Sequence, residues 1–259
     1  MKLVDTHCHL NADAFTNSWS DIVTRANQVG VANFFVVGWD DTSSQKAIDL
    51  AKKDHRIKAI IGLHPVDVHE GSGLQWILKM YQDNPHQIVA IGEIGLDYHW
   101  QKEFHEHERQ TQYLIKQINI ANQLNLPIVI HCRDAYEAII PILKANRVKQ
   151  GGVMHCYAGS ANLVPTFIEL GFFLSFGGPV TFKSAVESRM ALKATPMNRV
   201  LIETDSPYLS PHPLRGKENT PINLPIIFKQ IAETLQIPLE LLEEKLYQNT
   251  LEAFHVKTL

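Results

Sequence analysis

Seven side chains of metal-binding type stand at the carboxyl ends of six short apolar runs in this sequence. His7 and His9 end Leu3-Val4-Asp5-Thr6-His7-Cys8-His9, and His64 ends Ala59-Ile60-Ile61-Gly62-Leu63-His64. Glu93 ends Ile88-Val89-Ala90-Ile91-Gly92-Glu93, and His131 ends Pro127-Ile128-Val129-Ile130-His131. His155 follows Gly152-Val153-Met154, and Asp205 closes Val200-Leu201-Ile202-Glu203-Thr204-Asp205. Imidazole nitrogens and carboxylate oxygens suit divalent ions such as Mg, Mn or Zn. One carboxylate can hold two such ions about 3.5–4 Å apart, the spacing with which two-metal hydrolases activate water and neutralise a phosphate. The chemistry expected of this set is hydrolysis by a hydroxide activated by two divalent ions.

Residues two apart on a strand point the same way, so His7 and His9 can grip one ion. A lone H-x-H pair recurs by chance; five other correctly placed ligands change its meaning. Glu93, near the middle of the set, is the candidate bridge. Asp205 can complete the first ion's shell and accept a proton from water. Glu203, two residues earlier on the same face, can hydrogen-bond a ligand histidine from behind. His131 and His155 suit the second ion, together with Glu93. His64 has three readings: a ligand, a donor behind one, or a phosphate contact, and His64-Pro65 also fits a plain turn. Asp205, Glu93 and His64 are the catalytic candidates. Arg133 carries a planar fork that suits phosphate. Arg133, Tyr157, Arg215, Lys217 and Asn219 are the candidate substrate contacts, although each alone also reads as a surface or capping residue.

Side chains from six runs meet only if the run ends converge. Eight β-branched-rich runs occur, at 3–7, 33–38, 57–63, 88–92, 127–131, 152–155, 172–176 and 199–204. Their uniform apolarity fits strands covered on both faces, as in parallel sheets. Helical patterns lie between them, and a further helix is expected at about 239–248. Strict strand–helix alternation implies a parallel α/β fold. Eight repeats favour a TIM-type (β/α)8 barrel, a single domain over 1–259 with an extra C-terminal helix. In that barrel the carboxyl ends of the strands share one face, where its chemistry occurs. An open doubly wound sheet would carry a glycine-rich turn after its first strand; His7-Cys8-His9-Leu10-Asn11 has no glycine. The proline-rich segment 206–221 follows the eighth strand and is expected to cover the mouth.

The 259 residues carry 45% hydrophobic and 20% charged side chains, with a net charge of −3. That excludes a protein held on nucleic acid by a broad basic face, but not an enzyme whose phosphate attraction is local. No apolar stretch is long enough to span a membrane, and no basic-then-apolar leader is seen. A cytoplasmic protein with no obligate protein partner is expected. Cys8, Cys132 and Cys156 each follow a candidate ligand histidine. Strand alternation turns them toward the helices, as buried reduced thiols and not ligands.

Taken in order, these motifs resemble the TatD family of metal-dependent deoxyribonucleases, a branch of the amidohydrolase-like barrels. The matching segments begin with Asp5-Thr6-His7-Cys8-His9-Leu10, Gly62-Leu63-His64-Pro65, Gly92-Glu93-Ile94-Gly95-Leu96-Asp97-Tyr98 and Ile130-His131-Cys132-Arg133-Asp134-Ala135. They continue with Met154-His155-Cys156-Tyr157-Ala158-Gly159, Glu203-Thr204-Asp205-Ser206-Pro207-Tyr208-Leu209 and Arg215-Gly216-Lys217-Glu218-Asn219. The resemblance implies a barrel with divalent metals that hydrolyses phosphodiester bonds in DNA. It places His7, His9, Glu93 and Asp205 on one metal and Glu93, His131 and His155 on a second. It departs at Tyr157-Ala158, where Phe-Ser is common, and at His99, where another aromatic is common. An exonuclease on single-stranded DNA ends suits a mouth-shaped site on a chain with no basic stripe. Two other functions are weighed beside it. One is an amide, lactone or aminoacyl-ester hydrolase; many such barrels bridge their metals with a modified lysine on strand four, where this chain has Glu93. The other is a non-catalytic nucleic-acid-binding scaffold, for which loss of a ligand would speak, and none is lost.

Overall fold

The computed structural model describes residues 2–259, along which strand and helix alternate. β1 (Leu3–Cys8) leads through α1 (Trp19–Gln28) to β2 (Val31–Val37), and α2 (Asp41–Lys53) leads to β3 (Ile57–Ile61). α3 (Gln75–Asp83) leads to β4 (Ile88–Asp97), and α4 (Phe104–Leu124) to β5 (Ile128–Arg133). α5 (Tyr136–Ala145) precedes β6 (Gly152–Met154), α6 (Val164–Glu169) precedes β7 (Phe172–Phe176), and α7 (Val186–Ala194) precedes β8 (Val200–Ile202). α8 (Leu224–Leu235) and α9 (Leu239–Ala253) follow. All eight strands are parallel and lie in sequence order, β1 to β8. This is the (β/α)8 barrel implied by the sequence, with α9 as its extra helix.

Local sequence sets the helix ends. Asp40 caps α2 by accepting from the Ser43 amide at 2.7 Å, and the Ser43 hydroxyl accepts in return from the Asp40 amide at 2.9 Å. Such reciprocal caps satisfy amides that a helix start leaves unpaired. Asn125 ends α4 in the left-handed region (φ 57°), which asparagine tolerates better than most residues. Among the described residues no helix is long and apolar enough to cross a membrane.

The ring closes between β8 and β1 by a different means from the other seven junctions. The Thr6 hydroxyl donates to Ile202 O at 2.8 Å, and Asp5 accepts from the amide and hydroxyl of Thr204 at 2.9 and 2.6 Å. At the carboxyl end Asp205 N donates to His7 O at 2.9 Å, and His9 N donates to Ser206 O at 2.8 Å. Side chains and two backbone bonds stitch this seam where the others have a ladder.

Two hydrophobic clusters separate the inside of the barrel from its shell. Val4, Phe35, Val37, Ile60, Val89, Val129, Val153, Phe173 and Leu201 form the smaller one. Ile128, Ile130 and Cys132, on the other face of β5, belong to the larger cluster with the helices. Alternate residues of each strand thus point inward. Phe254, just past α9, plugs the interior cluster from below, its ring edge-on to Phe35 with centroids 4.5 Å apart. Continuing each inward series upward gives the polar layer: His131 after Val129, His155 after Val153, and Glu203 and Asp205 after Leu201. On β1 the pairing register shifts between Asp5 and Cys8. Such bulges re-aim side chains, and this one brings His7 into the mouth although Val4 already points inward.

β4 departs from the sequence reading. It was expected to stop at residue 92, with Glu93 in a glycine-flanked turn, but it continues to Asp97. Gly95 makes this possible: its φ is 149°, and a Cβ there would collide with His131 O on the next strand. The glycine marks a close approach of two strands, not a turn.

Candidate metal centre

Glu93 is the hub of the polar layer, and its two oxygens face different histidines. Oε2 lies 3.3 Å from His7 Nε2 and 3.9 Å from His9 Nε2. Oε1 lies 2.8 Å from His131 Nδ1, 2.9 Å from His155 Nε2 and 3.6 Å from His64 Nε2. Asp205 Oδ1 joins the first set, 3.4 Å from His9 Nε2 and 3.8 Å from His7 Nε2. Three groups have ligating atoms close enough to hold one ion: His7-His9-Asp205, His7-Glu93-His155 and His64-Glu93-His131. All seven residues expected at the site are therefore brought together.

The donor set fits divalent metal. Both ring nitrogens of His7 are buried without a hydrogen-bond partner, an arrangement that a ligated metal relieves. The other histidines are oriented from behind, as ligand histidines are. His9 Nδ1 sits 3.0 Å from Val37 O and can donate to it, which leaves Nε2 facing Asp205. His155 Nδ1 sits 3.1 Å from Glu203 Oε1, which also accepts from the Cys156 amide at 2.7 Å. Glu203 thus takes the supporting position expected of it.

His64 is the exception. Its Nδ1 accepts from Val66 N at 3.3 Å, so a neutral ring carries its proton on Nε2. That nitrogen is a donor toward Glu93, not a lone pair for a metal.

Charge follows from this packing. Burial works against ionisation of Glu93, but His155, His64, His7 and His131 outweigh it and hold the carboxyl well below the usual range. Burial likewise opposes the charge on His155, yet Glu93 and Glu203 raise its pKa well above that of free imidazole. His131 and His9 are raised against burial by Asp97 with Glu93 and by Asp205 with Glu93. Burial and then His131 push His64 down to about 3, so that ring is neutral. Burial pushes Asp5 up to about 7, beneath the seam.

Some contributors lie outside the expected set. Asp97 Oδ2 holds His131 Nε2 at 2.9 Å. It follows Glu93 and Gly95 in the inward series of β4, and the shorter strand read from the sequence hid it. Trp39, Trp100 and Tyr208 join His9, His64, Glu93, His131, Arg133 and Asp205 around a cavity of about 680 Å³.

The substrate-contact candidates divide. Arg133 lines the cavity, while Arg215 and Lys217 are exposed on the loop after β8 and do not. Arg215 stacks its guanidinium 4.7 Å from the Phe182 ring centroid. Tyr157 is a correction: it is buried against Tyr136 and Phe167, and its hydroxyl donates to Ser160 O at 3.0 Å. Asn219 is another: it is buried, with Nδ2 donating to Thr204 O at 2.8 Å and Oδ1 accepting from Thr220 N and Asn223 Nδ2. It fastens the loop to β8 and has no amide group left for substrate. Cys8 and Cys132 are buried as expected. Cys156 departs: β6 ends at Met154, Cys156 has φ 42°, and its side chain borders the cavity half-buried. No cysteine belongs to a candidate metal group among the described residues.

Likeness to known proteins agrees with this architecture. The TatD related DNase family matches residues 4–255, and the chain belongs to it. It is 40% identical over 257 residues to the uncharacterized metal-dependent hydrolase YabD of Bacillus subtilis, covering 98% of this chain and 99% of that one. It is 32% identical over 260 residues to the uncharacterized metal-dependent hydrolase YcfH of Escherichia coli, covering 99% and 97%. Its fold matches the crystal structure of YjjV, a TatD homolog from Escherichia coli, with a TM-score of 0.92 at 28% identity and 98% of each chain covered.

Proposed function

We propose that this protein is a metal-dependent hydrolase that cleaves phosphodiester bonds in DNA from single-stranded ends, using two divalent ions of the Mg, Mn or Zn class. The observation that carries the reading is the division of Glu93, whose two oxygens serve two sets of histidines at the floor of an open cavity. His7, His9, Glu93 and Asp205 would hold one ion, and Glu93, His131 and His155 the other. Bound there, the ions would supply Lewis-acid neutralisation of phosphate and a lowered pKa for water.

The chain's own groups do the rest. His9 and the neighbouring histidines hold the Asp205 carboxyl below its usual pKa despite burial, so Oδ1 is an ionised acceptor for the proton of attacking water. Neutral His64 offers an Nε2 proton into the same space. Arg133 is the one cation lining the cavity, placed to hold a phosphate oxygen. The reading is of a cytoplasmic enzyme acting without an obligate protein partner.

Purified protein incubated with end-labelled single- and double-stranded DNA, with and without divalent ions, tests the proposal. Parallel arms carry amide, lactone and aminoacyl-ester substrates. Metal-dependent shortening of single strands from an end is expected. Hydrolysis only in the amide or ester arms would overturn the nuclease reading.

A further inference from the structure

Two large aromatic side chains at the mouth are left in solvent: Trp100 is 69% exposed and Tyr208 58%. Trp100 lies on the loop after β4 and Tyr208 on the loop after β8. In a ring of eight strands these positions are four places apart, on opposite walls of the mouth. Neither is loosely attached. Trp100 N donates to Asp97 Oδ1 at 2.9 Å, and the other oxygen of Asp97 holds His131. Tyr208 N donates to Asp205 O at 2.9 Å, and the Tyr208 ring stands edge-on to His9 with centroids 5.9 Å apart. Each exposed ring is thus tied by its backbone to a member of the polar cluster. Arg133 places its guanidinium 5.5 Å from the Trp100 ring centroid, so charge for a phosphate and a flat apolar face come together on that wall.

A phosphodiester carries one nucleoside on each side of its phosphate. The mouth carries one aromatic face on each side of its ligand cluster. We propose that Trp100 and Tyr208 each stack an unpaired nucleobase, one on either side of the scissile phosphate, so that the unit recognised is a single-stranded dinucleotide step. The assignment rests on the nuclease reading above. Stacking suits it because every base has a π-face, which gives grip without sequence preference. Bases held in a duplex cannot present both faces, so the two walls select unpaired ends.

The test is steady-state hydrolysis of short single strands that carry one abasic residue on the 5′ or the 3′ side of the reacting phosphate. The enzymes are the metal-loaded parent, Trp100→Ala, Tyr208→Ala and the two Phe variants. For the parent, removing either base is expected to raise KM about tenfold or more with little change in kcat. Trp100→Ala is expected to raise KM similarly on intact strands and to lose that penalty when the base on one side is missing. Tyr208→Ala is expected to show the same behaviour for the other side, and the Phe variants to retain parental KM. Circular dichroism and metal content establish that each variant is folded and loaded. Equal penalties on intact and abasic strands, or a parent indifferent to base removal, overturn the stacking assignment while leaving the nuclease reading in place. A parent inert on every nucleic-acid end overturns that reading and this assignment with it.

Discussion

Asp97 Oδ2 lies 2.9 Å from His131 Nε2, on the opposite edge of the imidazole from Glu93. The ring is therefore held between two carboxylates, one in the ligand cluster and one behind it. A histidine supported in this way has its orientation and tautomer fixed before any metal arrives.

Replacing Asp97 should accordingly weaken metal binding without removing a ligand. Asp97→Asn is expected to lower affinity for the ion at His131 roughly 10- to 100-fold, with the fold preserved. Titration of chelated protein with Zn or Mn, followed calorimetrically, measures it. Unchanged affinity would mean that His131 does not need its second carboxylate.

Glu93 and His64 should behave differently from each other. Glu93→Ala removes the residue shared by both sets of histidines and is expected to lower metal content at both positions. His64→Ala removes a donor and is expected to leave metal content near parental while slowing turnover. Elemental analysis of the two dialysed variants decides the matter. Parental metal content in Glu93→Ala would refute its role as bridge.

Proton linkage gives a third expectation. His155, His131 and His9 have raised pKa values in the fold without metal, caused chiefly by Glu93, Glu203, Asp97 and Asp205 acting against burial. A raised histidine stabilises the fold fully below its unfolded value of about 6.5, and that contribution is lost as pH rises through the folded value. Chelated protein should thus lose this contribution from about pH 6.5 upward. His7 and His64 are lowered, by burial and then by a neighbouring histidine, so their contribution is present above about pH 6.5 and is lost toward acid. Because ligation needs bare nitrogens, metal binding at pH 7 should release protons and weaken as pH falls. Calorimetry in two buffers of different ionisation enthalpy reads the protons directly; a heat independent of buffer would contradict the linkage.

The barrel floor offers a test of stability apart from chemistry. Phe254→Ala empties the plug beneath Phe35 and should cost about 3–5 kcal/mol. The folded fraction should keep its metal, since the ligands sit at the other end of the strands. Chemical denaturation paired with elemental analysis checks both halves of this expectation.

The ligand cluster was legible because every member ends an apolar run, and strand ends of a parallel barrel share one face. Asp97 was hidden because Gly92 and Gly95 read as a turn. Only the approach of Gly95 to His131 O, a contact between strands, shows that β4 continues. Tyr157 and Asn219 were misjudged for a related reason. β6 stops at Met154 and β8 at Ile202, so two-residue alternation gives no direction to side chains beyond them. Trp100 and Tyr208 left no signal, because loop exposure has no period to read.

The seam between β8 and β1 carries a consequence in time. Asp5 and Thr204, which bond across it, are 199 residues apart in sequence, and His7 and Asp205 meet at its upper end. A nascent chain leaving the ribosome exposes His7 and His9 long before Asp205 has been made. Domains fold largely as units, N-terminal part first, yet here the first strand must wait for the last before its histidines gain their carboxylate partner. The growing polypeptide therefore remains chemically silent until translation has passed its eighth strand. A hydrolase laid out this way cannot act on nucleic acid beside the machinery that is still building it.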